Sequence, residues 1–469
     1  MSTRSLHNGD KTPVHTWTSI STKLVESPDD LKLWEQLVEA AELNNNQGIT
    51  KASSPEELEL LRVSYIKFLD KYPLLFNYWI KFAEWEFKLG NTERAIQIYE
   101  DSLHHLSYSI EIWIHYLKFK LMTINDNLFE ILELFERARK FIGYHFHAYE
   151  FYKLYLKFLE SYGTETNEFK KKYYILLRII VEIPLYHYEY FFKLYFDIIA
   201  SLSNEKSSEL STYLVSSKDL KSLTQGTDNK SISVYLKKIF IDVYITTQFK
   251  VYELYTFEMK LTKQYFDYKP ISIQQLDSWV QYLDFLQLRD YPSEYVKFVY
   301  NRCLLSTALY PKIWIKLANY HIYRKEYEDA ETVLLRSLSY SSDHNLILKL
   351  VDINLYNQEI LRARDLIVGF IQNCVSVPIP IYEKLLNIER LLHTNDNDYI
   401  VSIFKEVIKN TNRNSWIFHH LSYYSLPNEY KRKILEEFPS TDRHRVQSIE
   451  SLANIETKPD YDEEISSYL

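Results

Sequence analysis

The stretch Asn77–Leu103, NYWIKFAEWEFKLGNTERAIQIYEDSL, decides the fold. Trp79, Phe82 and Trp85 recur at steps of three and are followed by Glu86, a spacing that gathers the three rings within one third of a helical circumference. Lys88, Leu89 and Gly90 close this first helix. Gly90 is expected in the left-handed conformation of a helix C-cap, with Asn91 or Thr92 capping the next helix through a side-chain oxygen. The second helix, RAIQIYEDSL, turns Ala95, Ile98, Tyr99 and Leu103 back on the first. Neither helix hides its stripe alone, so the pair requires neighbours.

The same pattern recurs on both sides. Upstream, LKLWEQLVEAAE carries Trp34, Leu37 and Ala40, and its partner EELELLRVSYIKFLDKY stops at Pro73. Downstream come Trp113, Tyr116 and Phe119, with a partner helix that ends at Gly143. Tyr152, Tyr155 and Phe158 follow, then Phe192, Tyr195 and Ile198. Anchors at 34, 79, 113, 152 and 192 differ by 45, 34, 39 and 40. Beyond Pro270, Trp279 (with Tyr282 beside it), Trp314 and Trp416 are anchors, with Leu348 and Tyr382 in equivalent places, and the differences are 35, 34, 34 and 34. A period this constant marks a repeat array.

The chain therefore divides into a polar N-terminal segment (1–28), a first helical array (29–200), a loop with ten serines (201–233), one long linking helix (234–269), a second array (270–440) and an acidic tail (441–469). Only 7 Gly and 13 Pro punctuate 469 residues, too few for a many-turned β protein or a Gly-looped α/β enzyme. Aromatic residues make up 16%, including 41 Tyr, and such rings suit the gaps between stacked helices. The expectation is an all-α, right-handed α-solenoid of about ten helix pairs, in two arrays joined by the long helix.

Charge and motifs exclude several functions. A net charge of −8 argues against coating nucleic acid with the whole surface. The N-terminus lacks an apolar signal core, and Arg178, Glu182 and Pro184 interrupt the most apolar stretch, so neither secretion nor a membrane span is expected. Cys303 and Cys374 lie too far apart for a zinc knuckle and read as small buried residues. No two of the seven glycines are closer than 20 residues apart, which removes any phosphate-cradling loop. His145, His147, His419 and His420 lack nearby carboxylate or Cys partners, so no metal, cofactor or catalytic group is assigned.

Lysines interleave with rings at Lys81, Lys118, Lys157 and Lys316, which suggests an RNA-stacking stripe. Their offsets from the anchors put them on the outer face while the rings point inward, so a solvated face is the reading preferred. Denser basic spots at Lys170, Lys171 and Lys172 and at Lys431, Arg432 and Lys433 are candidate RNA contacts or a nuclear signal.

The Trp-x-x-Tyr/Phe-x-x-Phe/Trp-Glu stripe, seen at Trp79, Phe82, Trp85 and Glu86 and again at Trp113, Tyr116 and Phe119, resembles the half-a-tetratricopeptide (HAT) repeat of RNA-processing proteins. Arg94, Tyr99 and Glu100 match its second helix. The blocks KYPLLFNYWIKFAEWEFKLGN, FERARKFIGYHFHAYEFYKLYLKF, IVEIPLYHYEYFF, QFKVYELYTFEMKLTKQYF and LDSWVQYLDFL are similar to the pre-mRNA-processing factor 39 and factor 42 family. The short N-terminal extension is nearer the factor 42 branch, and the chain is expected to stop early at its C-terminus. The resemblance implies a nuclear, non-enzymatic scaffold of the U1 small nuclear ribonucleoprotein, acting in splicing and 5′ splice-site recognition. It implies protein partners in that particle, a homodimer or heterodimer with a related HAT protein, and at most peripheral RNA contact. A HAT scaffold of mRNA 3′-end cleavage or of ribosomal RNA processing is the alternative, and an enzyme hidden in the array is the third reading.

Overall fold

The structure, a computed structural model, describes residues 17–43, 48–123, 127–163, 167–202, 213, 229–267, 269–374, 376–394 and 396–410. All regular structure among them is helical. Packing divides the chain into two compact units, 1–307 and 308–469. The first holds α1 (Trp17–Glu26), α2 (Leu31–Leu43), α3 (Pro55–Lys71), α4 (Phe76–Lys88), α5 (Thr92–Leu106), α6 (Ile110–Met122) and α7 (Leu128–Ile142). It continues with α8 (Tyr149–Tyr162), α9 (Asn167–Glu182), α10 (Tyr188–Leu202), α11 (Asn229–Glu258), α12 (Ile273–Leu288) and α13 (Ser293–Thr307). The second holds α14 (Pro311–Tyr323), α15 (Tyr327–Leu338), α16 (His344–Tyr356), α17 (Ile360–Asn373), α18 (Ile379–Leu392) and α19 (Asn397–Asn410).

Within each unit, successive helices pack antiparallel on their neighbours: α2 on α3, α4 on α5, α6 on α7 and α8 on α9 in the first, α14 on α15, α16 on α17 and α18 on α19 in the second. This is the helix-pair solenoid that the stripes require, each pair covering the apolar faces of the next.

One turn closes four of the first-in-pair helices. After α4 the Asn91 N–H donates to the Glu86 carbonyl and the Gly90 N–H to the Phe87 carbonyl, a Schellman motif with Gly90 at φ 95°. The same two bonds recur after α12 (Tyr291 to Leu286, Asp290 to Gln287), after α14 (Glu326 to His321, Lys325 to Ile322) and after α16 (Glu359 to Asn354, Gln358 to Leu355). There the left-handed residue is Asp290 (52°), Lys325 (64°) and Gln358 (64°). Asn91 does not cap α5 with its side chain; its Nδ2 donates to Glu86 instead, at 2.8 Å.

Several expectations shift. The N-terminal segment contains α1, because Trp17, Ile20 and Leu24 form a short stripe: Ile20 and Leu24 pack with Leu37, and the Trp17 indole donates to Ser64 Oγ at 2.8 Å. The long helix spans Asn229–Glu258, not 234–269. Just beyond its end, Gln275 pairs with the backbone, accepting from the Thr262 N–H at 3.0 Å and donating to the Lys260 carbonyl at 2.6 Å. The helix lies inside the first unit, as does the Trp279 pair, since that unit extends to Thr307. The Ser-rich stretch contributes 201–202 to α10 and 229–233 to α11; residues 203–212 and 214–228, Trp416, the Lys431–Arg432–Lys433 cluster, His419, His420 and the acidic tail lie outside the described residues.

Candidate interaction surface

The anchor tryptophans share one hydrogen bond. Trp34 donates its indole N–H to the Pro28 carbonyl (2.9 Å), Trp79 to Pro73 (2.8 Å), Trp113 to Ser107 (2.7 Å) and Trp314 to Ala308 (2.8 Å). Each reaches six residues back and fastens the loop that enters its helix. Tyr152, which replaces Trp in the fourth copy, donates its hydroxyl to the Gly143 carbonyl at 2.9 Å. Trp279 is wholly buried, but its N–H has no partner among the described residues. A guanidinium from the second helix of the pair lies over three of these rings: Arg137 on Trp113, Arg302 on Trp279 and Arg336 on Trp314, at 5.5, 5.2 and 4.9 Å.

Burial divides the anchors. Phe82, Trp113, Tyr116, Phe119, Tyr152, Tyr155, Trp279, Tyr282, Trp314 and Tyr382 are buried. Trp34, Trp79 and Trp85 are only half-buried; Trp34 and Trp79 reach the loops before their helices and Trp85 donates to Glu42 at 3.1 Å. In α16 the anchor place belongs to buried Ile347, one residue before half-buried Leu348. Cys303 is buried, which pushes its thiol up to about 12, whereas Cys374 is half-buried at the end of α17.

Tyrosine hydroxyls bridge neighbouring helices to carboxylates. Tyr116 donates to Glu100 (2.7 Å), Tyr155 to Glu136 (2.6 Å), Tyr282 to Glu258 (2.9 Å) and Tyr65 to Glu42. Burial, aided by these carboxylates, raises the phenols above their usual range. Basic groups complete each joint. Arg137 meets Glu100 at 2.8 Å, Arg139 and Lys172 meet Glu136 at 2.8 and 3.0 Å, and Arg302 meets Glu258 at 2.5 Å. Lys172 is thus committed to the fold, while Lys170 and Lys171 are exposed.

Seven residues after three of the anchors, Trp79, Trp314 and Tyr382, lies a second, buried polar position. At Trp79 it is Glu86, 0% exposed, held by Arg62 through 2.7 and 3.1 Å bonds, by Asn91, and by Arg94 at 3.4 Å. Burial pushes the Glu86 carboxyl up, but these donors outweigh it and hold it below the usual range. At Tyr382 the equivalent is buried Glu389, bound by Arg364 at 2.5 Å. At Trp314 the polarity inverts. His321 stands in place of the carboxylate, and Glu326 and Asp329 stand where Asn91 and Arg94 do, their oxygens 2.9 and 3.7 Å from Nδ1. These three groups have one ligand atom each within 4.8 Å of the others, as a metal site would. The inverted joint explains them without a metal, and Arg324 already lies 3.2 Å from Glu326.

Helix α13 is buried over most of its surface: 11 of its 15 residues, between Tyr295 and Thr307, are buried. Beyond its own pair it packs on loops of the early repeats: Phe298 meets Tyr108 and His145 at 6.1 and 6.3 Å, and Tyr295 meets Tyr144 at 5.9 Å. His145 is buried there, its Nδ1 accepting from the His147 N–H at 3.1 Å. Burial, with Arg302 and His147 nearby, drives its pKa well below the ordinary value. Beside this crossing is a cavity of about 450 Å³, walled by Arg139, Tyr144, Tyr152, Lys250, Tyr291 and Tyr295. A second groove, of about 510 Å³, runs along α11 past Ile245, Phe249, Arg289 and Pro292. No sequence pattern pointed to the partners of α13.

Comparison with known proteins agrees with this architecture. The PRP39 N-terminal HAT repeat family matches residues 18–197 and the PRP39 C-terminal HAT repeat family residues 252–391. Pre-mRNA-processing factor 39 of Schizosaccharomyces pombe is 28% identical over 65% of this chain and 51% of its own length. The U1 small nuclear ribonucleoprotein component PRP42 of Saccharomyces cerevisiae is 30% identical over 71% of this chain and 62% of its own. The chain thus spans roughly half to three-fifths of the relatives it matches. The two matched families together cover most of the chain, on both sides of α11, and the chain belongs to the PRP39 HAT-repeat family.

Proposed function

We propose that this chain is a non-enzymatic scaffold subunit of the U1 small nuclear ribonucleoprotein, working in the nucleus in pre-mRNA splicing and 5′ splice-site recognition through protein–protein contacts. The observation that carries the reading is its likeness on both sides of α11 to a protein named as a U1 component, joined to a fold built of fastened helix pairs. The mechanism is geometric. Buried Trp, Tyr–Glu and Arg–Glu joints stiffen each helix pair against its neighbour, so partner proteins seated along the array are held at fixed separations. RNA contact is peripheral, with exposed Lys170 and Lys171 the remaining basic candidates among the described residues.

The test is purification of the tagged protein from cells followed by probing for U1 RNA. Its recovery supports the assignment, and its absence ends it; recovery of cleavage factors or nucleolar proteins instead would move the chain to 3′-end formation or ribosomal RNA processing. Dimerisation with itself or a related HAT protein is part of the proposal and is placed in the second array. Sedimentation as a monomer, alone and mixed with the related protein, would remove it.

A further inference from the structure

Helix α11 buries one side, through Thr247, Val251, Leu254 and Glu258. Its other side is apolar as well. Ile241, Ile245, Phe249, Tyr252, Tyr255 and Met259 are 40% to 72% exposed. At 100° per residue they fall within an arc of about 120°, and at 1.5 Å per residue they extend about 27 Å along the helix. Exposed Gln248 and Thr256 share this arc, but six large apolar side chains gathered on one face mark an interaction site, not the scattered apolar residues of an ordinary surface. Its edge opens into the groove formed by Ile245 and Phe249 with the turn carrying Arg289 and Pro292.

Three features define the occupant. The stripe follows one helix and the residue just past its end over about five turns, so it matches the apolar side of another helix of about 18 residues. Exposed lysines frame it, Lys237 and Lys238 at one end and Lys260 at the other; of the nearby carboxylates, Glu253 is bound to Arg289, leaving Asp242 and Asp290 outnumbered. Three of its six residues, Ile241, Ile245 and Met259, offer no ring on which a base could stack, which favours protein over nucleic acid. We infer that this face of α11 seats an amphipathic helix of a partner protein, with its apolar stripe on these six side chains and acidic residues on its flanks. The inference rests on the scaffold reading and names a surface that reading would use.

The experiment uses the full chain and three fluorescent synthetic 18-residue helices. One repeats Leu at i, i+3, i+4 and i+7 with Glu flanks, one is identical with Lys flanks, and one has the Leu order scrambled. The Glu-flanked peptide is expected to bind at least about tenfold tighter than either other. Phe249→Glu and Tyr252→Glu should each weaken it by about tenfold or more, with unchanged circular-dichroism melting. Equal binding of the Glu- and Lys-flanked peptides, or no loss in either variant, overturns the inference. So does sedimentation showing that Phe249→Glu dissolves a dimer of this chain, because the face would then belong to a second copy. Recovery of U1 RNA with the wild-type chain but no peptide binding removes this surface and leaves the scaffold reading standing; peptide binding without U1 RNA does the reverse.

Discussion

Arg302 and Glu258 form a doubly hydrogen-bonded ion pair, Nη1 to Oε1 at 2.9 Å and Nη2 to Oε2 at 2.5 Å, with both side chains removed from solvent. The pair ties α13 to the end of α11, and Tyr282 donates to the same carboxylate. A buried pair of this kind adds little over an apolar replacement, whereas losing one member strands a charge. Glu258→Gln is therefore expected to cost about 3–5 kcal/mol in urea unfolding. The double variant Arg302→Met with Glu258→Leu should be more stable than Glu258→Gln alone. A double variant that is worse than the single would show that the pair contributes more than charge compensation.

Trp113 and Trp79 make the same backbone bond from different depths, Trp113 at 0% exposure and Trp79 half-buried. Trp113→Ala should cost about 3–5 kcal/mol and Trp79→Ala less. Trp113→Phe, which keeps a ring but frees the Ser107 carbonyl, should fall near 1–3 kcal/mol. Equal losses at 113 and 79 in denaturant titrations would contradict the difference in depth.

Glycine is favoured at two positions for different reasons. A Cβ on Gly143 would collide first with the Arg139 carbonyl oxygen and would lie 2.9 Å from the Tyr152 hydroxyl, so Gly143→Ala is expected to lose about 1–3 kcal/mol through crowding. At Gly90 the nearest atom is the end of Lys51 at 3.7 Å, and the constraint is the φ of 95°. Lys325 holds the equivalent left-handed place at 64° with a side chain present. Lys325→Gly should therefore raise the melting temperature, by the equivalent of about 0.5–1 kcal/mol. A fall would mean that the Lys325 side chain has a role of its own.

Acid should weaken the first unit in two windows. The folded pKa of His145 lies below its ordinary 6.5, because burial, Arg302 and His147 all disfavour the imidazolium. The stability tied to its neutral form is present above pH 6.5 and drains as pH falls below it. Glu86 is also depressed, from 4.5, so its contribution persists lower and is lost as pH drops through the folded value. His145→Asn should flatten the decline in melting temperature between pH 6.5 and 5, and Glu86→Gln the decline below 4.5. Parallel pH curves for wild type and His145→Asn would show that the buried imidazole is not the group responsible.

The Trp79–Phe82–Trp85 stripe revealed the helix pairs because a spacing of three is a property of side chains. The Trp-to-carbonyl bonds could not be read the same way, since the acceptors at Pro28, Pro73, Ser107 and Ala308 are main-chain atoms indifferent to residue type. Ile347 and Leu348 are adjacent and both apolar, so periodicity alone chose the wrong one. The first-unit crossing was hidden for another reason. Contacts such as Tyr108 with Phe298 join residues far apart in sequence, and a repeat pattern describes only neighbours. The exposed stripe of α11 went unread because its Ile and Tyr residues look the same as core.

The four Schellman turns also bear on the order of folding. At Gly90 the left-handed turn is accessible to the isolated chain, so α4 and α5 can close on each other before any neighbour is present. At Asp290, Lys325 and Gln358 the same turn works against local preference and is held by the helices packed around it. The pair α4–α5 is thus the natural seed of its unit, and the structure would grow outward from it by templating, each new pair bent into shape by the one already in place.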